Sequence, residues 1–437
     1  MVKLLSIICC FIIAFTINGK HDFSYFTLKN GLKVVCIKKR VIPIVAVSVW
    51  YNCGSKCDAT GKSGVAHFLE HMAFHSNSMT FNNFLEEIGA ENNASTSLGY
   101  ICFYEIVPKE SMEEILKYES ARMRSLGIDS QVFTSEKKAI LEERSIVYDA
   151  NPIMSAKESV NANIFNGMPG GISIVGWKHE IESIQQQDLF DFHNKWFAPN
   201  NAVLLLVGDV DPHHVKPLVE KYFGGLKEKN LPTMRTQNNV HPSVIKTITH
   251  KFSEANCFIT RYIYKVPFFA KDNFRKYISL SLAIQAMNQP EFFMAKVIKS
   301  ATNSLNDIWF SYASGAAYDI VMVNLIGISR DEMDDMEKLW HCFKQKLLSD
   351  SILTNDEINA IKRQNFISMA YEDDDIMVTA QYVGSSLMAG HPLEKIMATD
   401  EIIQAITLQE CNSTISEIFQ REPIAVSRLE KQEHDNE

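Results

Sequence analysis

The chain has 437 residues, of which 46% are hydrophobic, and its 43 basic and 52 acidic residues give a net charge of −9. At ~100 to 200 residues per domain, this length predicts two or three units, each able to bury a core. The sequence contains no basic block, which argues against nucleic acid as a partner. The negative net charge indicates an acidic surface exposed to solvent.

The first 19 residues are typical of a secretory signal peptide. Lys3 precedes an apolar run from Leu4 to Phe15, and Gly19 ends the segment. The run is short for a membrane span, which needs ~20 apolar residues. We therefore expect export, to the periplasm or outside the cell, with no stable membrane span after signal removal. An uncleaved amino-terminal anchor is the alternative.

Hydrophobic patterning predicts strands and helices in the first half of the chain. Segments rich in Val, Ile and aromatic residues predict strands at residues 23–28, 33–37, 45–51, 101–106 and 202–207. Helical spacing of apolar residues predicts helices around residues 65–74 and at 82–88, 109–123 and 135–148. We expect an α+β layer with helices packed on one face of a sheet.

Residues 67–71 read His-Phe-Leu-Glu-His, the H-x-x-E-H pattern of an inverted zinc-peptidase site. On a helix, positions i, i+3 and i+4 share one face, so His67, Glu70 and His71 project into the same space. Two neutral imidazoles can hold Zn²⁺, and the carboxylate can take a proton from a metal-bound water. A surface helix with two solvated histidines is the alternative. The apolar neighbours argue against it, because they imply a buried helix whose polar groups need partners.

Catalytic zinc usually has three protein ligands, so one more side chain is needed. In the helix predicted at 135–148, Glu136, Ile140 and Glu143 fall at i, i+4 and i+7, which places two carboxylates on an apolar face. Glu142 faces solvent instead. A carboxylate on a buried face is costly unless it is paired or bound to metal, so Glu143 or Glu136 is the predicted third ligand.

Two further segments carry a family resemblance. Residues 89–96 read Gly-Ala-Glu-Asn-Asn-Ala-Ser-Thr, and residues 196–202 read Trp-Phe-Ala-Pro-Asn-Asn-Ala, followed by Val-Gly-Asp-Val at 207–210. With the H-x-x-E-H motif, they make the chain resemble the pitrilysin/insulinase family of inverzincin zinc metallopeptidases. It most resembles the two-half members, such as mitochondrial processing peptidase subunits and their bacterial relatives.

The resemblance implies a role for each candidate residue. One Zn²⁺ per chain is held by His67, His71 and Glu143, the last lying 72 positions beyond His71. Glu70 is the general base for water, and Glu136 orients the metal ligands from outside their coordination. The resemblance thus resolves the choice between the two glutamates in favour of Glu143.

Asn93 and Ala94 match the family's Asn-Ala-x-Thr signature, which precedes the strand that pairs with substrate. The resemblance implies that these two residues help to fix an extended peptide by backbone pairing. An ordinary turn before a strand is the alternative for this segment.

Residues 227–243 are polar and contain Pro232 and Pro242, which predicts a linker between domains. We therefore predict a catalytic zinc-binding half at 20–226 and a homologous carboxyl-terminal half at 244–437.

The second half begins as the first does. Strands predicted at 244–250 and 257–266 precede a helix at 273–287, which indicates a diverged internal repeat. The resemblance implies that each half is a mixed, mostly antiparallel sheet with helices on one face, and that the two halves close like a clamshell.

One feature of many relatives is missing from the second half. In those relatives, the second half carries an arginine followed seven positions later by a tyrosine, and the pair stabilises the oxyanion. In this chain, no arginine after residue 246 has a tyrosine at that offset. Where the pair is expected, residues 296–305 read Lys-Val-Ile-Lys-Ser-Ala-Thr-Asn-Ser-Leu. A metal-free family subunit could supply these groups in a hetero-dimer, and a homo-dimer is the alternative oligomer.

The expected substrate is a peptide or an unfolded polypeptide, cleaved by a zinc-dependent endopeptidase. Two alternatives from other classes are a scaffold subunit without catalysis and a module that captures peptides without hydrolysing them. The scaffold alternative predicts a decayed metal site, whereas His67, Glu70, His71 and Glu143 are all present.

Seven cysteines remain after the predicted signal peptide. Cys53 and Cys57 are close enough in sequence to form a disulfide, but a chain of this length does not need one. We expect most of the cysteines to be small core residues.

Overall fold

The computed structural model describes most of the chain after residue 21. The described residues are 22–39, 42–75, 78–165, 168, 170–232, 246–252, 258–266, 273–289, 307–313, 318–327, 329–349, 352–372 and 375–431. The predicted signal peptide, residues 233–243 of the predicted linker, Cys257 and residues 296–305 lie outside them.

The first sheet has six strands in the order β1-β2-β6-β3-β5-β4. Its neighbours pair antiparallel except for β2 and β6, which are parallel. The strands are β1 (Asp22–Thr27), β2 (Lys33–Lys38), β3 (Ile44–Tyr51), β4 (Glu91–Thr96), β5 (Ile101–Pro108) and β6 (Ala202–Gly208). β6 is buried along its whole length, in keeping with its continuous run of apolar residues.

The second sheet repeats the first. Its five strands have the order β7-β11-β8-β10-β9, with β7 and β11 parallel and the other neighbours antiparallel. The strands are β7 (Lys246–Phe252), β8 (Phe258–Val266), β9 (Asp307–Ala313), β10 (Asp319–Gly327) and β11 (Ala425–Lys431). They correspond in chain order and pairing to β2, β3, β4, β5 and β6. The predicted internal repeat is therefore present as a repeated topology.

Helices occupy the connections between the strands. The first eight are α1 (Val65–His75), α2 (Ser78–Glu87), α3 (Met112–Arg124), α4 (Ser130–Arg144), α5 (Pro152–Ile164), α6 (Lys178–Ser183), α7 (Gln186–Trp196) and α8 (Pro212–Phe223). Those that follow are α9 (Phe274–Met287), α10 (Arg330–Ser349), α11 (Asn355–Glu372), α12 (Ile376–Met388), α13 (Leu393–Met397), α14 (Thr399–Ala405) and α15 (Leu408–Phe419). The described helices include none that is both long and apolar enough to cross a bilayer.

The central strands of each sheet are mostly buried on both faces. One face packs on helices of its own half, as expected, but the other face packs on a helix from the other half. Ala380 and Val383 of α12 pack against Trp50 and Leu205 of the first sheet. In return, Val160 of α5 packs with Ile263 and Ile320 of the second. Hydrophobic periodicity shows that a helix has an apolar face, but it does not identify the sheet that covers it.

Gly384 marks the closest approach of α12 to the first sheet. A Cβ atom at this position would lie 2.1 to 2.5 Å from three atoms of the Trp50 indole, which is fully buried. We expect Gly384→Ala to destabilise the fold by about 1–3 kcal/mol, because overpacking outweighs the gain in helix propensity of about 1 kcal/mol. Thermal denaturation would measure the loss.

Gly225→Ala is the matched control for that substitution. Gly225 has no positive φ and no atom within 4 Å of the added Cβ. The melting temperature of the Gly225→Ala variant should stay near that of the wild type. Equal melting temperatures for the two alanine variants would contradict the steric role of Gly384.

The helix predicted at 135–148 differs from α4 at both ends. The observed helix α4 begins five residues before the predicted start, where the side chain of Asp129 accepts hydrogen bonds from the backbone N–H groups of Gln131 and Val132. It ends at Arg144, and a single π-helical turn follows over Ser145–Asp149. Such a turn keeps an apolar pattern running past the end of the α-helix, so sequence spacing does not reveal it.

The described cysteines are free thiols. Cys53 and Cys57 are both free as well as buried, so this structure does not contain the disulfide alternative. Cys36, Cys102 and Cys411 are buried as well, whereas Cys342 is exposed. Burial raises the pKa of the Cys57 thiol to about 11, which keeps it protonated at neutral pH.

Candidate metal centre

Two carboxylates cap the start of α1, the helix that carries the H-x-x-E-H motif. The two carboxylate oxygens of Asp58 accept the backbone N–H groups of Gly64 and Ala66, at 2.8 and 2.9 Å. Glu180 accepts the N–H of Ser63 at 2.7 Å. These carboxylates satisfy N–H groups that the first turn of α1 leaves free, so they set where the helix starts.

Two glycines allow a loop to press against that first turn. Gly64 and Gly176 have φ values of 90° and 95°, a region that other residues rarely adopt. A Cβ on Gly64 would lie 2.3 Å from the carbonyl oxygen of Val175, and one on Gly176 would lie 2.4 Å from that of Ser63. The start of α1 is therefore held between its capping carboxylates and the loop that contains Gly176.

Burial of α1 turns its three motif side chains toward one space. Phe68, Leu69 and Met72 are fully buried in the core. The imidazole rings of His67 and His71 meet edge to face, with centroids 4.7 Å apart. This arrangement is the one expected from their i, i+4 spacing.

Glu143 of α4 completes a group of three possible ligands. Its Oε2 lies 3.8 Å from Nε2 of His67 and 3.8 Å from Nε2 of His71. Potential ligand atoms of the three residues all lie within 4.8 Å of one another, and they form the only such group in the described part of the chain. The rings of Phe133 and Phe68 stack 4.9 Å apart and hold α4 against α1.

Arg144, the residue after Glu143, anchors the end of α4. Its two terminal nitrogens each donate to one carboxylate oxygen of Glu158 on α5, at 2.6 Å. The same guanidinium donates to the carbonyl of Gly176 at 2.6 Å and to Ser173. One buried arginine thus ties the helix that carries Glu143 to the loop that supports α1.

Glu136 lies outside the group of three and contacts two histidines. Its Oε2 is 3.0 Å from Nδ1 of His71, the ring nitrogen that faces away from Glu143. Its Oε1 is 3.2 Å from Nε2 of His75. The carboxylate contact with the first imidazole is the kind that metal-binding histidines usually have.

Glu70 is held by the segment that carries the Asn-Ala-x-Thr signature. The hydroxyl of Thr96 donates to Oε2 of Glu70 at 2.5 Å, and the Glu70 residue is only 9% exposed. Thr96 ends β4, the edge strand of the first sheet. Asn93 is exposed and Ala94 half-buried in the same strand, so neither is in a turn.

Burial shifts the pKa of two groups on α1. It lowers the pKa of His67 to about 3, so this imidazole is neutral at physiological pH. It raises the pKa of Glu70, against the opposing effect of the hydrogen bond from Thr96. A neutral imidazole is the form that binds a metal ion.

The donor set fits a zinc ion. Tetrahedral zinc with ligands at about 2.0–2.2 Å separates its donor atoms by roughly 3.4 Å, close to the 3.8 Å observed. At 3.8 Å these nitrogens and the oxygen face one another beyond hydrogen-bond distance. Two imidazoles and one carboxylate are a common protein ligand set for catalytic zinc.

Comparison with known proteins places these residues in a family. Residues 33–177 match the family described as Insulinase (Peptidase family M16), and residues 183–290 match the description Peptidase M16 inactive domain. The chain belongs to the M16 family. All five candidate residues on α1 and α4 lie within the first matched stretch, and the family resemblance expected from the sequence is confirmed.

The relatives of this M16 family member include proteins named as zinc proteases. It is 30% identical to the zinc protease PqqE of Helicobacter pylori over 240 residues, which cover 53% of this chain and 54% of that protein. It is 23% identical to a probable mitochondrial-processing peptidase subunit beta of Schizosaccharomyces pombe, covering 92% of this chain and 90% of that protein. The chain spans about half the length of several curated relatives that it matches.

The fold is also that of solved M16 structures. The crystal structure of a protease from Helicobacter pylori superposes with a TM-score of 0.81 at 21% identity, covering 95% of this chain and all of that one. The expected fold class is therefore confirmed, with two related sheets and their helices. At the level of the family, the chain is a metallopeptidase relative.

Three contributors to the site were not found from the sequence. They are Thr96 at the end of β4, Arg144 at the end of α4 and His75 at the end of α1. No sequence signal places the Thr96 hydroxyl beside Glu70, because the two residues lie 26 positions apart. His75 does carry a signal, since it continues the i, i+4 series of His67 and His71.

Proposed function

We propose that this M16 family member is a zinc-dependent endopeptidase that hydrolyses peptides or unfolded segments. The observation that supports the proposal most strongly is the group of two histidine nitrogens and one Glu143 oxygen beside the buried carboxylate of Glu70. His67, His71 and Glu143 would hold one zinc ion per chain. When bound, zinc acidifies water and polarises a carbonyl group.

Glu70 would move the proton in this reaction. A carboxylate whose pKa is raised by burial takes a proton from water more readily than an exposed one. It can then pass that proton to the departing amine. The hydroxyl of Thr96 holds the carboxylate of Glu70 in place for this transfer.

The outer edge of β4, which pairs with no strand in the described part of the chain, would bind the substrate. An extended peptide can add to an edge strand through backbone hydrogen bonds, a mode that selects shape more than sequence. Because Thr96 at the end of β4 contacts Glu70, a peptide paired with Asn93 and Ala94 would run toward the zinc ligands. This geometry favours unfolded segments over folded proteins.

A partner subunit is a second element of the proposal. The sequence of the second half lacks the expected arginine and tyrosine pair, so a metal-free family subunit would supply the oxyanion donors. The partner is unnecessary if the purified chain alone turns over peptide as fast, with zinc, as its complex from cell extract. We also propose export, on the basis of Lys3 and the apolar run after it.

Metal removal tests the proposed function. Metal analysis of the purified chain should find one zinc ion per chain, and a chelator should abolish cleavage of a quenched peptide library. Adding zinc back should restore it. The proposal fails if the chain binds zinc but cuts no peptide with or without a partner, which would favour the alternative of peptide capture without hydrolysis.

A further inference from the structure

His75 occupies a position that the proposed mechanism does not use. It lies on α1 four residues after His71, so it shares a face with both metal-facing histidines. Its side chain is 41% exposed, whereas those of His67 and His71 are 12% and 26% exposed. The end of this histidine series therefore reaches toward solvent.

Glu136 connects His75 to the metal centre. Each oxygen of this carboxylate contacts one imidazole, His71 at 3.0 Å and His75 at 3.2 Å. The glutamate comes from α4, so the two contacts also join α4 to α1 along the turn beyond the metal centre. A carboxylate held at both oxygens keeps one orientation, whereas a glutamate held at one oxygen retains rotamer freedom that metal binding must remove.

In the part of the chain that the structure describes, no carboxylate supports the other metal-facing histidine in this way. Nδ1 of His67 is buried and has no hydrogen-bond partner among the described residues. Glu136 is thus the described carboxylate that orients an imidazole of the site from outside. Groups in this position set the tautomer and direction of a ligand, and losing one typically weakens metal binding by about 10- to 100-fold.

We propose that His75 is a positioning residue, which fixes the carboxylate of Glu136 and through it the imidazole of His71. The inference rests on the proposed zinc function of this site. It assigns His75 no contact with substrate or metal. Its effect is on how tightly zinc is held.

Zinc affinity of three variants tests the proposal by competition with a chromophoric chelator. His75→Phe keeps a ring but loses the contact, and we expect roughly 10-fold weaker zinc binding, the lower end for such groups. His75→Gln can still place an amide N–H against the carboxylate and should recover most of the affinity. His213→Phe, at an exposed histidine on α8, is the matched control and should bind zinc as the wild type does.

A double substitution separates positioning from a general structural effect. In a Glu136→Ala background, His75→Phe should cause no further loss of affinity, because the group through which it acts is gone. Circular dichroism of each variant checks that the fold is intact. The inference is overturned if His75→Phe binds zinc within twofold of the wild type, or if its effect is equally large without Glu136. Wild-type chain that binds no zinc would instead overturn the proposed function and this inference with it.

Discussion

Replacing Glu70 with glutamine is expected to lower peptide hydrolysis by about 10²- to 10⁴-fold, the usual contribution of a general base. The amide has the shape of the carboxylate and can still accept the hydrogen bond from Thr96, so the pocket should keep its structure. It cannot take a proton from water at neutral pH. Zinc content should stay at the wild-type level, because His67, His71 and Glu143 are unchanged.

The measurement is kcat/KM for a peptide cut by the wild type, together with metal analysis of the same samples. Glu142→Gln is the matched control, since it removes an exposed carboxylate from α4 next to Glu143. It should leave activity and zinc content unchanged. If Glu70→Gln turned over peptide at the wild-type rate with zinc bound, another group would have to be the base.

Arg144→Met is expected to destabilise the fold by about 3–5 kcal/mol, the usual effect of removing one member of a buried ion pair. Both Arg144 and Glu158 have side chains only 6% exposed. The substitution would leave a buried carboxylate and the carbonyl of Gly176 without their donor. Because this arginine follows Glu143, we also expect weaker zinc binding.

Urea denaturation measures the stability loss, with Arg124→Met, at an exposed arginine on α3, as the control. Arg144→Lys should rescue little, because one ammonium group does not reproduce the paired contacts of a guanidinium. The double variant Arg144→Met with Glu158→Leu should recover part of the loss, since it leaves no unpaired charge. A single Arg144→Met variant as stable as the control would show that the buried pair contributes nothing.

Local pattern was sufficient for most elements of the first half. The strands near residues 23–51 and the buried strand before Gly208 lie where β-branched residues cluster, and the structure confirms them. The predicted end of α4 was wrong by four residues, because the turn after Arg144 widens into a π-helix without changing the apolar pattern. The exchange of α5 and α12 between the halves was not foreseen either, since no local pattern encodes which sheet covers a helix.

The candidate metal centre could likewise be predicted only in part from the sequence. His67, Glu70 and His71 are four residues apart at most, so helix geometry alone brings them together. Glu143 required an inward face on a second helix and the family resemblance. Its distance to the two imidazoles depends on Arg144, Glu158 and the Gly176 loop, which join three segments far apart in sequence.

The sequence by itself determined the residue types of the site, the periods of its helices and strands, and the repeat of the two halves. These features depend on neighbours within a few residues or on resemblance between segments. Only the tertiary structure decided that Thr96 holds Glu70, that Glu136 joins His71 to His75, and that Arg144 anchors the end of α4. Those contacts form between side chains up to 65 residues apart, where packing sets the distance and local propensity does not.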